Sequence, residues 1–141
     1  VSPAWPGVAK TAGMDFVFID TEHVPLDRAQ LSWMCHAFEA NDVVPIVRVS
    51  DPDPYKASKM LDGGARGIIT PYIERPEQLA NMIGAIKYRP IKGAKLTGAL
   101  NGSKPLDLDL QTYVNNFNTK VFCFNIYSIL NNCHLFCSIF R

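Results

Sequence analysis

The sequence lacks several features that would place it at once in a common class. Lysine plus arginine number 14 and aspartate plus glutamate number 13, so there is no basic surplus for nucleic-acid binding. No clean run of about 18 apolar residues occurs, as a membrane span would need. The four cysteines do not form a secreted disulfide framework, and we recognise no signal peptide. We therefore expect a cytoplasmic protein without nucleic-acid or membrane partners.

Charge is missing from one stretch of the chain. Charged residues are spread normally over residues 1–120, but Arg141 is the only charge in the segment VFCFNIYSILNNCHLFCSIFR, residues 121–141. This segment is apolar and interrupted by asparagines, unlike a solvated helix. We predict a boundary here, with one domain over 1–120 and, over 121–141, a fourth strand followed by an aberrant apolar tail.

Three short apolar runs rich in β-branched residues are typical of strands buried on both faces. They are DFVFID (15–20), VVPIVRV (43–49) and GIITPYI (67–73), and VFCFNI (121–126) could be a fourth. A stripe of apolar residues at helical spacing follows each of the first three. Strands and helices that alternate in this way along the chain predict parallel βα units.

Two closures of such units are common, an open doubly wound sheet and a (β/α)8 barrel. The glycine-rich turn G-x-G-x-x-G follows none of the strands, which argues against a dinucleotide-binding fold. A complete barrel needs about 200 residues or more, whereas this sequence has 141. We therefore predict the α/β class and a partial (β/α)8 TIM barrel of about four βα units.

Polar side chains occur where the predicted strands end, which is where barrels place their functional groups. Asp20, Glu22 and His23 follow the first strand, Arg48 ends the second, and Thr70-Pro71 lies near the end of the third. Each residue alone has an ordinary structural explanation. A histidine in a βα loop often caps a helix, and an arginine often pairs with a carboxylate. Only the combination favours a functional site.

Four segments together resemble the HpcH/HpaI aldolase family of citrate-lyase-like, phosphoenolpyruvate-binding barrels. They are DTEH, PIVRV, LDGGARGIITPYIE and KYRP, in that order, and the resemblance covers about Ala9 to Pro90. It implies a metal-dependent class II aldolase, a carbon–carbon lyase that cleaves 2-keto-3-deoxy or 4-hydroxy-2-keto acids to pyruvate and an aldehyde. It further implies Mg²⁺ or Mn²⁺ as cofactor and a homo-oligomer.

The resemblance also implies roles for individual residues. His23 matches the family's acid/base histidine, Asp20 the carboxylate that orients it, and Glu22 the remaining carboxylate of the motif. Arg48 matches the arginine that holds the carboxylate and keto oxygen of pyruvate. Asp62 matches an aspartate near that arginine and a metal-bound water. A guanidinium suits a 2-keto acid because it can bind a carboxylate through two parallel hydrogen bonds.

One part of the family pattern is absent. The family binds its metal through a glutamate in a Q/N-x-E-[ST] motif, but the matching NIYS (125–128) has Tyr127 at that position. The second metal ligand, an aspartate in a G-P-x-D-like motif, does not occur. Neutral tyrosine is a poor ligand for Mg²⁺ or Mn²⁺. We therefore expect this chain not to bind the metal and to be inactive alone; the alternative is a non-catalytic fragment or pseudoenzyme that associates with a full-length relative.

Overall fold

The computed structural model describes the backbone of residues 2–129 and 132–137 and the side chains of residues 2–124. Four parallel strands lie side by side in chain order, β1 (Phe16–Asp20), β2 (Val44–Arg48), β3 (Gly67–Ile73) and β4 (Phe122–Ile129). A fifth, β5 (Asn132–Cys137), pairs antiparallel with β4. The predicted α/β class and the four parallel strands are confirmed.

Six helices connect or precede these strands in the described part of the chain. They are α1 (Trp5–Thr11), α2 (Arg28–Glu39), α3 (Pro54–Asp62), α4 (Pro76–Lys87), α5 (Gly93–Leu100) and α6 (Leu108–Asn118). The predicted stripes correspond to α2, α3 and α4, whereas α5, α6 and β5 were not predicted from the sequence. Among the residues with described positions, no helix has both the length and the hydropathy that crossing a membrane requires.

Local sequence explains where the helices start. The side chain of Asp27 accepts a hydrogen bond from the backbone N–H of Gln30, whose own side chain bonds back, forming a capping box before α2. Asp53 accepts from the N–H of Tyr55, and Pro54 occupies the first helical position of α3, where a missing N–H costs nothing. Each cap therefore places the start of its helix a few residues after the polar end of the preceding strand.

The two faces of the sheet differ sharply. One face packs against the helices, and the core between them is almost fully buried: Ile19, Val47 and Ile68 come from the strands, and Met82 and Ile86 from α4. The other face, which we call the inner face, is apolar but open: Phe16, Phe18 and Phe122 are 58%, 47% and 39% exposed. It lines a cavity of about 450 Å³ together with Val44, Ile46, Ile69 and Phe124.

Candidate functional site

The last residues of β1 and β2 are directly opposite each other in the parallel ladder. Asp20 pairs in register with Arg48, and Phe18 pairs with Ile46 one step below on the same face. Side chains alternate between faces along a strand, so Asp20 and Arg48 stand above the apolar inner face. The Arg48 guanidinium carbon also lies 5.5 Å from the centre of the Phe18 ring. A charged cluster therefore sits directly on an apolar floor.

Arg48 and Asp20 form a two-pronged ion pair. Nε of Arg48 donates to Oδ1 of Asp20 at 3.0 Å, and Nη2 donates to Oδ2. Their side chains are only 21% and 18% exposed. The guanidinium holds the pKa of Asp20 well below its usual range, although partial burial opposes the shift. Asp20 is therefore a permanent carboxylate and Arg48 a permanent cation at neutral pH.

Asp20 also shapes the loop that follows β1. Its Oδ1 accepts the backbone N–H of Glu22 at 2.9 Å, which satisfies a loop donor and further lowers the pKa of Asp20. The hydroxyl of Thr21 donates to the backbone carbonyl oxygen of Arg48 at 2.6 Å. The first bond ties the loop to the end of β1 and the second ties it to the end of β2, so Glu22 and His23 are held beside the ion pair.

His23 faces solvent, with its side chain 64% exposed, and its Nδ1 lies between a donor and an acceptor. Nη2 of Arg48 is 2.6 Å from Nδ1, and Oδ2 of Asp20 is 3.2 Å away. A guanidinium only donates, so the first contact requires an unprotonated Nδ1; a carboxylate only accepts, so the second requires a proton there. Only one of the two contacts can therefore be a hydrogen bond at a time: a protonated Nδ1 donates to Asp20, and an unprotonated Nδ1 accepts from Arg48.

Glu22 bridges the ion pair and the end of β3. Its Oε1 accepts a hydrogen bond from the Tyr72 hydroxyl at 2.5 Å, and its side chain is 12% exposed. Oε2 lies 3.2 Å from Nε of Arg48, but that N–H is directed at Asp20. Oε2 is buried, and no group among the described residues donates a hydrogen bond to it.

The structure brings together four of the predicted residues, Asp20, Glu22, His23 and Arg48, but not Asp62. Asp62 is the last residue of α3, which runs back toward the start of β3, so it lies at the opposite end of the strands. It pairs there with Arg89. The geometry of this chain gives no support to a role beside Arg48, and that role stays a prediction. The side chain of Tyr127 lies outside the described residues.

The acidic cluster does not fit a divalent metal ion. One ligand atom each from Asp20, Glu22 and His23 lies within 4.8 Å of the others, which is close enough for shared coordination. However, Arg48 donates to both oxygens of Asp20 and contacts Glu22, so a guanidinium already occupies the place beside these carboxylates. A cation there would have to displace it.

Sequence reasoning missed two contributors to the cluster. Thr21 is the second residue of the DTEH segment. Because it directly follows β1, its hydroxyl could have been expected to reach the end of the neighbouring strand. Tyr72 lies in β3 but adopts a positive φ of 57°. Nothing in the sequence signals this conformation, because it is rare for a bulky residue.

A parallel sheet with helices on one face and a polar cluster at its carboxyl ends is the arrangement found in part of a (β/α)8 barrel. The model for the HpcH/HpaI aldolase/citrate lyase family matches residues 2–124, and the chain belongs to this family. The citrate synthase SbnG has a similar fold, with a TM-score of 0.67 and 31% identity over 88% of this chain. The HpcH/HpaI aldolase from Desulfitobacterium hafniense, at 21% identity, shares the fold with a TM-score of 0.67.

Curated relatives are aldolases by name. The 2-dehydro-3,6-dideoxy-6-sulfogluconate aldolase of Pseudomonas putida is 35% identical over 57% of this chain and 31% of its own length. The 5-keto-4-deoxy-D-glucarate aldolase of Escherichia fergusonii is 31% identical over 71% of this chain and 40% of its own length. The chain thus spans less than half of the curated relatives it matches.

Proposed function

We propose that this chain carries the substrate-carboxylate half of a pyruvate-type aldolase site, with Arg48 as the anchor. The observation that carries the proposal is the fixed position of its guanidinium. Two of its nitrogens are held by Asp20, while Nη1 makes no hydrogen bond to the described residues. A charge-assisted bond from Nη1 to a carboxylate is therefore open, and the keto oxygen of a 2-keto acid would lie next to it.

His23 is the proton-transfer group of the proposed reaction. It is exposed, adjacent to Arg48, and can exchange its Nδ1 partner as its protonation changes. Carbon–carbon cleavage of a 4-hydroxy-2-keto acid requires removal of the proton from the 4-hydroxyl group, which an imidazole can accept near neutral pH. Asp20 orients the imidazole through its contact with Nδ1.

The family resemblance also implies a divalent metal ion at the active site. Mg²⁺ or Mn²⁺ would stabilise the enolate of pyruvate. Since Arg48 already pairs with Asp20 and contacts Glu22, the metal ligands would have to come from residues other than these. Tyr127 stands at the position that the family resemblance gives to one of them. We propose that the chain binds the keto acid without completing the catalytic site.

Isothermal titration with pyruvate tests this proposal. The wild-type chain should bind pyruvate without added metal, and Arg48→Lys should weaken binding about 10- to 30-fold, because lysine keeps the charge but loses the planar fork. Arg66→Lys is the matched control, since Arg66 pairs with Glu39 at the opposite end of the sheet. Equal affinities for the wild type and both variants would reject Arg48 as the anchor.

A second candidate function is association with a full-length relative, and the open inner face favours it. Phe16 and Phe18 are about half exposed there, whereas in a closed barrel the remaining strands would cover such a face. The proposed occupant is the complementary half of a longer family member, which carries the remaining strands. Size-exclusion chromatography with the E. fergusonii aldolase should show a complex that Phe16→Glu abolishes and Trp33→Glu, on the helical side, preserves. A complex insensitive to Phe16→Glu would exclude this face.

A further inference from the structure

Tyr72 occupies an unusual place at the carboxyl end of β3. Ile68 and Thr70 are fully buried on the helical side of the strand, and simple alternation would direct residue 72 the same way. Instead, the register between β3 and β4 shifts between Thr70 and Ile73, and Tyr72 takes a φ of 57°. Such irregularities redirect side chains next to functional sites. Here the tyrosine is turned out of the helical layer and is half exposed.

The redirected side chain reaches across the sheet to the loop after β1. Its hydroxyl donates to Oε1 of Glu22 at 2.5 Å, joining residues fifty positions apart. The bond and the negative charge of Glu22 raise the pKa of Tyr72, so the hydroxyl remains a donor at neutral pH. The bond fixes one oxygen of Glu22, which leaves the carboxylate little freedom to rotate.

The other oxygen of Glu22 then has a defined position. Oε2 is buried, close to Arg48, and receives no hydrogen bond from the described residues. A buried carboxylate oxygen without a donor is unfavourable and favours a ligand that supplies one. Arg48 Nη1, which offers donors, lies in the same cluster. A ligand that presents a carboxylate and a hydroxyl would complement both groups.

We propose that Tyr72 is a specificity-positioning residue: it holds Glu22 so that the free carboxylate oxygen accepts the hydroxyl group of a hydroxylated 2-keto acid anchored by Arg48. This inference rests on the proposed function, because Arg48 must bind the acid. Tyr72 acts through Glu22 and does not contact the reacting atoms. Its contribution is selectivity for hydroxylated over unsubstituted keto acids.

The test compares the affinities for hydroxypyruvate and pyruvate by isothermal titration. In the wild type, hydroxypyruvate should bind about 3- to 10-fold more tightly, the effect of one hydrogen bond. Tyr72→Phe should reduce this ratio to about one. Tyr55→Phe is the matched control, because Tyr55 is exposed on α3 and stacks with Lys59 away from the cluster; it should leave the ratio unchanged. A structural role alone would weaken both ligands equally.

Glu22→Gln provides a second variant, which should abolish the preference in the same way. A ligand-free measurement checks the contact itself: in ¹³C-tyrosine NMR titrations, Glu22→Gln should lower the pH at which Tyr72 ionises, because the variant removes the charge that raises the pKa of Tyr72. An unchanged hydroxypyruvate preference in Tyr72→Phe overturns this inference alone. If the wild type binds neither acid, the proposed function fails and this inference fails with it. An unchanged titration of Tyr72 in Glu22→Gln refutes the contact.

Discussion

Replacement of Asp20 by asparagine tests the central ion pair of the cluster. The substitution keeps the size of the side chain but removes its charge, and it can turn an amide N–H₂ toward the Nη2 donor of Arg48. Arg48 would then be left mostly buried, with Glu22 at 3.2 Å as its remaining anionic neighbour. We therefore expect the folded state to lose stability even though no cavity is created.

The magnitude follows from the exposure of the pair. Removing one partner of a fully buried ion pair costs about 3–5 kcal/mol, because an uncompensated charge remains. About a fifth of each side chain is exposed here, and Glu22 partly compensates, so solvent screening lowers the expected loss to about 2 kcal/mol. Urea denaturation followed by circular dichroism at pH 7 measures it.

Asp42→Asn is the matched control. Asp42 pairs with Lys10 at 3.2 Å, but its side chain is 85% exposed, so its pair should contribute less than about 0.5 kcal/mol. Asp42 also adopts a positive φ of 55°, a conformation that asparagine tolerates well. A loss in Asp20→Asn no larger than in Asp42→Asn would refute the reasoning from burial.

The pH dependence gives an independent check on the same pair. The folded-state pKa of Asp20 lies well below the ordinary value of 3.8, so its stabilising contribution is fully present above about pH 5. It is lost as the pH falls from there through the depressed pKa of the folded state. The stability difference between wild type and Asp20→Asn should therefore be constant from pH 7 to 5 and shrink at lower pH. A difference that stays constant down to pH 2 would contradict this assignment.

Two further predictions concern activity and thiol reactivity. The 141-residue chain should release no pyruvate from a 4-hydroxy-2-keto acid with added Mn²⁺, because Tyr127 replaces the predicted metal-binding glutamate; release that EDTA abolishes would disprove this. Burial and the charge of Glu39 raise the pKa of Cys35 to about 12, so iodoacetamide at pH 8 should label Cys35 only when urea unfolds the chain. Peptide mass spectrometry resolves this site, and labelling of the native protein would contradict its burial.

Strands and helices with strong local signals were predictable. The run from residue 15 to 20 became β1 from Phe16 to Asp20, and Asp53 with Pro54 marked the start of α3. By contrast, α6 was missed although Asp107 is an N-cap and Leu110, Val114 and Phe117 share one face. The signal for α5 was weak, since two glycines in GAKLTGAL lower its helix propensity.

The cluster was predictable in part for a physical reason. Parallel strands bring their carboxyl ends to one edge, so polar residues after β1 and β2 must lie close together, as Asp20 and Arg48 do. Tyr72 could not be found in this way, because its contact with Glu22 depends on a local break in strand alternation. For Asp62 the opposite holds. The family motif suggested that it lies near Arg48, but α3 runs back along the sheet and places it at the other end of the strands.

The ion pair between Asp20 and Arg48 also has a consequence for how the sheet assembles. These residues form the last step of the β1–β2 ladder and are 28 positions apart in the chain. A slip of one residue would exchange the two faces of β1. Asp20 would then point toward the helices, and so would Phe16 and Phe18. Burial of an unpaired charge opposes every such slip. The pair therefore selects one alignment during folding, and the cluster can form only after β1 and β2 have docked in that alignment.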